Sequence, residues 1–173
     1  MIDPDKFIIR DTSIWDAEWL FKITGDANAT RYMGFRTHET LDDTHQMLAA
    51  YGVSSSKHMA VCLRDAPSEL LGIIGYEVFG HVATVLIMLN MHDMRGRGIG
   101  RLVCKPFVHS LLAQPSIWRV WSFCHVDNVI GHRVTERSGA KFEGVMKRYA
   151  VFPNVSDEPQ DCRLYAITKE DSP

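Results

Sequence analysis

The sequence predicts a domain of the mixed α/β class, and three observations support this prediction. The chain has 173 residues, of which 46% are hydrophobic, so it is long enough to form one domain with a sizeable core. Short apolar runs typical of strands alternate with amphipathic runs of helical period. Their order is a meander of strands near mid-chain, then a strand–helix–strand–helix–strand series and a closing hairpin. We therefore expect residues 1–173 to form a single domain.

The first half of the chain is expected to hold two helices and the strands of the meander. Helix starts are marked by Asp11-Thr12-Ser13 and by Thr40-Leu41-Asp42-Asp43, which resembles a capping box. In chain order, the expected elements are a strand at Phe7 to Arg10, a helix at about Ile14 to Thr24, an irregular segment from Asn28 to Glu39, a helix from Thr40 to about Tyr51, and strands at His58 to Arg64, Leu70 to Phe79 and Val82 to Asn90, with turns at Asp65 to Ser68 and Gly80-His81.

The second half is expected to continue with two helices and three strands. Asn128 is a good helix N-cap, and Gly139 is a good residue just past a helix end. Pro106 falls inside a predicted helix, which it should kink or destabilise by about 3 kcal/mol. The expected elements are a helix at Ile99 to Leu112, a strand at Trp118 to Val126, a helix from Asn128 to Gly139, and strands at Phe142 to Phe152 and Cys162 to Thr168, joined by a polar loop from Pro153 to Asp161.

Composition and charge exclude several classes of function. The formal net charge is −2, so no overall field favours nucleic acid or an anionic membrane as a partner. The longest apolar runs are far too short to span a membrane, and the N-terminal residues do not resemble a signal peptide. The four cysteines have neither zinc-ligand nor redox spacing. We expect no metal site and a cytoplasmic protein with reduced, buried thiols at Cys62, Cys104, Cys124 and Cys162.

A glycine-rich turn, Arg95-Gly96-Arg97-Gly98-Ile99-Gly100, follows a predicted strand and opens a predicted helix. Glycines let the backbone approach a ligand, and the first N–H groups of a helix have no partner within it, so they can bind phosphate. Two arginines add charge-assisted hydrogen bonds. The spacing fits neither the dinucleotide fingerprint nor a nucleoside-triphosphate loop. The turn predicts a site for a phosphorylated ligand, and the alternative is a glycine-rich connection with solvated arginines.

Two motifs resemble a known family. Arg95-x-x-Gly98-x-Gly100 after a strand resembles the acetyl-CoA pyrophosphate loop of the GNAT acetyltransferase superfamily. The stretch from Asn128 to Gly144 resembles the Asn-x-x-Ser-x-x-Val-x-Glu-Lys-x-Gly-Phe-x-x-Glu-Gly pattern of the RimJ/RimL-type branch. The resemblance covers nearly the whole chain. It implies the GNAT fold, a mixed, twisted central sheet of about six to seven strands, flanked by about four helices, with splayed central strands.

What the resemblance implies about the donor can be placed on this chain residue by residue. The co-substrate would be acetyl-CoA, whose acetyl group passes to a primary amine by direct attack. The pyrophosphate would lie against the glycine-rich turn, with Arg101 or Lys105 near the 3′-phosphate or in a solvated stripe. The pantetheine arm would run along the strand ending near Leu89, where a backbone N–H would donate to the thioester oxygen. The residues expected to bind the cofactor are Leu89, Asn90, Met91, Arg95, Gly96, Arg97, Gly98, Ile99, Gly100, Arg101 and Asn128.

Deprotonation of the amine requires a base, because a lysine-like amine is almost entirely protonated at pH 7. A carboxylate or imidazole near the thioester meets this need, directly or through water. Each candidate also has an ordinary alternative, a solvated or a hydrogen-bonded position. The candidates are Glu77, His81, His92 and His125, with Glu77 and His125 preferred.

The thiolate leaving group needs a proton in turn. Tyr149 and Tyr165 are the candidates, and each is otherwise a packed aromatic residue of a strand. Asn128 would bond the cofactor arm, cap its helix, or do both. The catalytic residues expected are therefore Glu77, His125, Asn128 and Tyr165.

Two departures from the branch's pattern keep a second hypothesis open. Gly131 stands where the branch has serine, and Val85 stands where the strand before the loop usually carries an acidic residue. The cofactor loop is intact in both hypotheses. The chain is expected to be an N-acetyltransferase, and the alternative is a non-catalytic acyl-CoA-binding module with a regulatory role.

The acceptor would be selected by the first two helices and the last hairpin, as the resemblance implies. Their aromatic and acidic residues suit an amine cation or an amphiphilic amine, or else ordinary packing and a solvated helix start. A protein N-terminus and a small amine are both open as acceptors. The aromatic residues Trp15 and Trp19 are a weak indication of a homodimer. The residues concerned with the acceptor are Tyr32, Met33, Phe35, His38, Asp42, Asp43, Phe152 and the loop Pro153 to Asp161.

Overall fold

The structure is a computed structural model that describes residues 6–89 and 100–171, and a seven-stranded mixed sheet organises them. Neighbouring strands are antiparallel except for the fourth and fifth, which are parallel. The strand order is β1-β2-β3-β4-β5-β7-β6. The strands are β1 (Phe7–Asp11), β2 (Lys57–Leu63), β3 (Ala66–Phe79), β4 (Val82–Leu89), β5 (Arg119–His125), β6 (Lys141–Phe152) and β7 (Ser156–Thr168).

Five α-helices cover the two faces of the sheet. None of the helices in the described ranges is long and apolar enough to cross a membrane. Short turns of 3-10 helix precede α1 and follow β7, and a π-helical turn, Gly100–Cys104, precedes α4. The helices are α1 (Ala17–Thr24), α2 (Ala27–Thr30), α3 (Leu41–Val53), α4 (Lys105–Leu112) and α5 (Val129–Arg137).

Two hydrophobic clusters lie on opposite faces of the sheet, which we call the α4 face and the α1 face. Val61 and Ile74 pack against α4 and α5, while their neighbours Ala60 and Ile73 pack against α1 and α3. Successive side chains of a strand point to opposite faces, so one apolar run serves both clusters. Full burial of an isoleucine contributes about 1.5–3 kcal/mol, and both isoleucines have 0% exposure. These strands are therefore apolar without alternation because both of their faces are covered.

The predicted helix ends are confirmed in detail. The Thr40 hydroxyl accepts from the Asp43 N–H, and the Asp43 carboxylate accepts from the Thr40 N–H, which completes the capping box of α3. The Asn128 side chain caps α5, and Gly139, with a φ of +103°, follows its last turn. At φ +103° a side chain would be strained, so glycine suits this position.

Three predicted boundaries are wrong, each for a local reason. The segment expected to be irregular contains the one-turn helix α2, capped by Asp26, which makes five α-helices among the described residues. The turn before β3 is tighter than expected, because register shifts around Cys62 let that strand begin at Ala66. The loop after β6 is only Pro153–Val155, since polar residues from Ser156 onward extend β7 beyond β5 and pair with β6 alone. Solvent there tolerates polar side chains in a strand.

Pro106 does not kink the interior of its helix, contrary to the prediction. It lies in the first turn of α4, directly after the π-helical turn. At this position the missing N–H would have had no partner in the α-helical ladder, so proline costs little.

Candidate active site

The central parallel strands part from each other partway along the sheet. β4 and β5 are paired at Val82–Arg119, Ala83–Val120 and Thr84–Trp121, and the pairing of these described strands ends there. Val85–Leu89 and Ser122–His125 then run on without pairing to each other, and we call the space between them the β4–β5 gap. The predicted splay of the central strands is confirmed. A gap of this kind exposes backbone groups that an extended ligand can bond.

His125 lies at the carboxyl end of β5, beside the gap and on the α1 face. Its side chain is 3% exposed, and its ring stacks on Tyr32 with centroids 4.8 Å apart. The Asp127 N–H donates to Nδ1 at 3.1 Å, so the neutral ring carries its proton on Nε2. Nε2 is buried and has no hydrogen-bond partner within the described residues. A buried N–H without a partner is rare and marks a candidate ligand contact.

The position of His125 is supported by a second histidine that the sequence reasoning missed. Nε2 of His132, on α5, lies 2.9 Å from the His125 carbonyl oxygen. Burial lowers the pKa of His132, which favours the neutral ring and leaves one N–H to donate to that carbonyl. The signal available in the sequence was the spacing of the two histidines, which are seven residues apart, one at the end of a predicted strand and one in the first turns of the following helix. This bond ties α5 to the end of β5.

The walls beside His125 come from the two segments expected to select the acceptor. Tyr32 stacks on the ring, and Phe152 meets it edge-on with centroids 5.1 Å apart. Asn154, in the loop expected to help select the acceptor, holds these segments together. Its Nδ2 donates to the carbonyls of Thr30 and Phe35 at 2.9 and 2.8 Å, and its Oδ1 accepts from the Thr37 N–H at 3.0 Å. The sequence marked the loop but not this residue, because the short hairpin that positions Asn154 was itself not predicted.

A row of aromatic side chains continues from His125 along the same face. Trp121, Phe123 and His125 are every second residue of β5 and so share one face. Tyr149 of β6 packs edge-on against Trp121 and Phe123. The centroid distances are 6.0 Å between Trp121 and Phe123 and 4.9 Å between Phe123 and Tyr149. Leu86 of β4, across the gap, is 49% exposed, and Tyr149 is 45% exposed. This face of the gap is therefore open and apolar.

Glu77 lies on the α1 face, but it is not next to His125. It pairs with Thr84, which pairs with Trp121, so it stands two strands away at the level where the gap begins. Trp121 and His125 are four residues apart, about 13 Å along a strand. Glu77 is exposed, and its Oε1 accepts from the Ser55 hydroxyl at 2.7 Å.

Tyr165 lies on the opposite face from His125. It is fully buried between His132 and Phe142, with ring centroids 5.9 and 5.6 Å away. Its hydroxyl lies 3.4 Å from the Glu136 carboxylate, and burial raises the pKa of Tyr165. The structure thus places two of the four predicted catalytic residues, His125 and Tyr165, on opposite faces of the sheet.

Asn128 acts as the cap of α5, with its Oδ1 accepting from the Gly131 N–H at 2.9 Å. Gly131 gives the amide room, because a Cβ there would lie 2.7 Å from Asn128 Nδ2. The residue that departs from the branch's serine therefore accommodates the cap. Val85, the other departure, is buried in the α4-face cluster.

Most of the predicted cofactor loop lies outside the described residues. Leu89 is described and is buried at the end of β4. Gly100 and Arg101 are described only as backbone in the π-helical turn, and Lys105 follows in α4 as an exposed residue. The predicted residues outside the described ones are Asn90, Met91, His92, Arg95, Gly96, Arg97, Gly98 and Ile99.

The remaining predicted residues have less specific positions. His81 is exposed in its hairpin, where Nδ1 lies 3.3 Å from the Ser116 carbonyl oxygen. Trp15 is 88% exposed, whereas Trp19 is half-buried under the Lys22 ammonium group, so only Trp15 matches the expectation of an exposed aromatic. The four thiols are free, and three are buried while Cys124 is half-buried. A cavity of about 460 Å³ lies far from the gap, between β1, β2 and the end of α3.

Comparisons with known proteins agree with this geometry. Residues 6–141 match the family described as acetyltransferase (GNAT) domain. An uncharacterized N-acetyltransferase, YoaA of Bacillus subtilis strain 168, is 23% identical over 175 residues, which cover 98% of this chain and 97% of YoaA.

Solved structures share the fold at low sequence identity. A GNAT-family acetyltransferase from Bacillus anthracis superimposes with a TM-score of 0.83 at 20% identity, covering 95% of this chain and 96% of that one. The RimL ribosomal L7/L12 α-N-protein acetyltransferase in complex with coenzyme A gives a TM-score of 0.78 at 15% identity, covering 96% of each chain. At these identities the likeness shows the fold and does not establish the RimJ/RimL-type branch. With the family match over most of its length and the parted central strands of its sheet, this chain belongs to the GNAT acetyltransferase family.

Proposed function

We propose that the protein is an acetyl-CoA-dependent N-acetyltransferase that acetylates a primary amine by direct attack, within one domain spanning residues 1–173. The observation that carries the proposal is the β4–β5 gap, which ends at the buried, unpartnered Nε2 of His125. An extended pantetheine arm fits beside Val85–Leu89 because the backbone there has no partner strand on the β5 side. The complex of RimL with coenzyme A supports this choice of donor.

The glycine-rich turn is proposed to hold the cofactor at the far end of the arm. The N–H groups from Arg95 to Gly100 would bind the pyrophosphate, and the two arginines would neutralise it. A backbone N–H near Leu89 to Met91 would then donate to the thioester oxygen, on which negative charge develops during attack. Asn128, at the start of α5, is placed to bond the arm through its amide nitrogen while its oxygen caps the helix.

His125 is proposed as a donor rather than as a base. In the attack the amine nitrogen bonds to the carbonyl carbon, the carbon–sulfur bond breaks, the nitrogen loses one proton and the sulfur gains one. Because Nδ1 already accepts from the Asp127 N–H, the N–H at Nε2 can donate a hydrogen bond to the departing sulfur and stabilise the developing thiolate, which then takes its proton from water. The amine proton is assigned to water, since Glu77 lies two strands from β5 and about 13 Å along the sheet from the level of His125. Tyr165 is assigned to packing, since it lies buried on the other face.

Release of free thiol from acetyl-CoA, measured with a panel of amines and peptides, tests the function. Acceptor-stimulated release supports the enzyme, whereas tight acetyl-CoA binding without release would support the non-catalytic module instead. His125→Phe should reduce the rate about 10²-fold, and His125→Gln, which restores a donor, should recover part of it. His81→Phe, at an exposed histidine, is the matched control and should leave the rate unchanged.

The loop assignment has its own test. Arg95→Ala and Gly98→Asp should weaken coenzyme A binding about tenfold or more, because they remove a charge from the anion site or add the wrong one. Lys22→Ala, which removes a positive charge on α1, is the control. Isothermal titration calorimetry gives the affinities, and unchanged values for both loop variants would show that the pyrophosphate binds elsewhere.

A further inference from the structure

The open aromatic surface beside His125 carries information about the acceptor. We call Trp121, Phe123 and Tyr149 the aromatic strip. Their rings form one connected group, with centroid distances of 6.0, 6.4 and 4.9 Å. The strip lies on the α1 face of β5 and β6, on the side of the gap where His125 also points.

The strip is not buried as a hydrophobic core would be. Tyr149 is 45% exposed, Leu86 across the gap is 49% exposed, and the two β5 rings are half-buried. Contiguous exposed apolar surface of this kind is typical of a binding site. The edge-on arrangement of Tyr149 to Phe123, with an interplanar angle of 79°, leaves ring faces available to another ring.

The charge around the strip argues against a polycationic acceptor. Binding a polyamine requires several carboxylates spaced along the ligand, but the residues of β4 beside the strip on the α1 face, Thr84 and Leu86, are uncharged. Glu77 stands two strands away, and Glu143 of β6 is already paired with the guanidinium of Arg119. A ring is therefore favoured over a chain of ammonium groups as the body of the acceptor.

We propose that the acceptor is a primary amine joined to an aromatic ring by a short linker, a proposal that rests on the proposed function. The ring packs against Phe123 and Tyr149, and the amine reaches the thioester beside Nε2 of His125. Phe123 and His125 are two residues apart on one face, about 7 Å along the strand. A linker of about two carbon atoms carries the nitrogen most of the way from the ring toward the level of His125, and the position of the ring along the strip supplies the remainder.

Phenethylamine and cyclohexylethylamine provide a matched pair of test amines, since they share linker and amine but differ in aromaticity. Spermidine is the third amine. We expect kcat/KM for phenethylamine to be about fivefold higher than kcat/KM for cyclohexylethylamine, and to exceed kcat/KM for spermidine by a larger factor. Phe123→Leu and Tyr149→Leu should lower kcat/KM for phenethylamine about tenfold, change that for cyclohexylethylamine less than about twofold, and leave the KM for acetyl-CoA unchanged.

Phe142→Leu is the matched control variant, because Phe142 is an exposed aromatic residue of β6, 52% exposed, on the opposite face beside Tyr165. It should change none of these values. A preference for spermidine, or an equal loss for all amines in the strip variants, would overturn the aromatic assignment while thiol release persists. Absence of thiol release with every amine would instead overturn the proposed function itself. Circular dichroism spectra confirm that each variant is folded.

Discussion

At the residue scale, the first turn of α5 shows how one glycine and one asparagine depend on each other. The Asn128 side chain folds back over the start of α5, where its Oδ1 accepts a hydrogen bond from the Gly131 N–H. A Cβ on Gly131 would lie 2.7 Å from Nδ2 and 2.9 Å from Cγ of that amide, closer than real contacts allow. The absence of serine at position 131 is therefore coupled to the cap, and the two positions should be tested together.

A double-mutant cycle measures this coupling. Gly131→Ser alone should destabilise the protein by about 1 kcal/mol, because it displaces the cap. In the Asn128→Ala background the same change should be neutral or stabilising by about 0.5 kcal/mol, since it removes a helical glycine without a cap to displace. Urea unfolding of the four proteins gives the values. The same sign in both backgrounds would contradict the coupling.

The paired charges of Arg10 and Asp16 predict a pH effect. Asp16 is 4% exposed and accepts from the guanidinium of Arg10 at 2.6 and 2.9 Å and from the Ser13 N–H at 2.8 Å. Burial raises the pKa of the Asp16 carboxyl, but these bonds outweigh it and the net shift is downward. A carboxyl whose pKa is lower in the folded state stabilises the folded protein at pH values above its unfolded-state pKa, which is about 3.9. This stabilisation is lost as the pH falls through the folded-state pKa.

Asp16→Asn should therefore destabilise the protein at pH 7 by about 2 kcal/mol, a value discounted because the Arg10 side chain is 30% exposed. The difference from the wild type should shrink as the pH falls below about 4. Asp157→Asn, at a carboxylate 81% exposed and paired with Arg36, is the control and should change the stability by less than about 0.5 kcal/mol. Denaturant unfolding between pH 3 and pH 7, a range that includes the unfolded-state pKa of aspartate, gives the free energy of unfolding of both variants and of the wild type.

At the element scale, the loop between β6 and β7 holds the segment that follows α2. Asn154 bonds three backbone groups of that segment, which carries Tyr32 onto the ring of His125. A short loop thus fixes the wall of the candidate site through backbone bonds that depend on one side chain. This link joins segments more than one hundred residues apart in sequence.

Asn154→Ala should destabilise the protein by about 2 kcal/mol, since it leaves partly buried backbone groups without partners. Amide exchange of residues 30–38 should accelerate, and the wall formed by Tyr32 should loosen, so KM for the acceptor should rise more than KM for acetyl-CoA. Arg36→Ala, which removes an exposed ion pair between the same segments, should have a much smaller effect. Equal exchange in the two variants would show that Asn154 does not hold the segment.

At the scale of the whole molecule, the sheet is divided into a paired part and a parted part. β1 to β4 form a continuous antiparallel ladder, and β5 joins β7 in another, but the two ladders share only three residue pairs. The parted ends lie between the two hydrophobic clusters. A ligand that fills the gap therefore links the two halves of the sheet.

Acetyl-CoA should consequently slow amide exchange in Val85–Leu89 and Ser122–His125, while β1 and β2 change little. It should also raise the free energy of unfolding by about 2.7 kcal/mol at a concentration one hundred times its dissociation constant. Hydrogen exchange read by mass spectrometry, with adenosine 3′,5′-bisphosphate as a control lacking the pantetheine arm, tests this. If adenosine 3′,5′-bisphosphate protected these strands as strongly as acetyl-CoA does, the pantetheine arm would not lie in the gap.

Local patterns in the sequence were enough to predict most elements, because caps, turn glycines and apolar periodicity act within a few residues. They placed the capping box at Thr40, the glycine after α5 and the seven strands within a few residues, and the family motifs predicted the splay of the central strands. Boundaries failed where a strand continued with polar residues, as in β7, since solvent exposure on the sheet's outer side is not visible in the local pattern.

The tertiary structure decided which of the predicted chemical groups meet. His125 and Tyr165 were both plausible from strand positions, yet pairing with β7 and the alternation of side chains put them on opposite faces of the sheet. Only the packed structure shows that the Asp127 N–H occupies one nitrogen of His125 and that the other is buried with no partner among the described residues. The sequence by itself predicted the family, which the family match confirms, and the kind of donor, which stays a prediction, because both follow from contiguous motifs. The face, tautomer and neighbours of each candidate side chain follow from contacts between residues distant in sequence, and only folding brings these together.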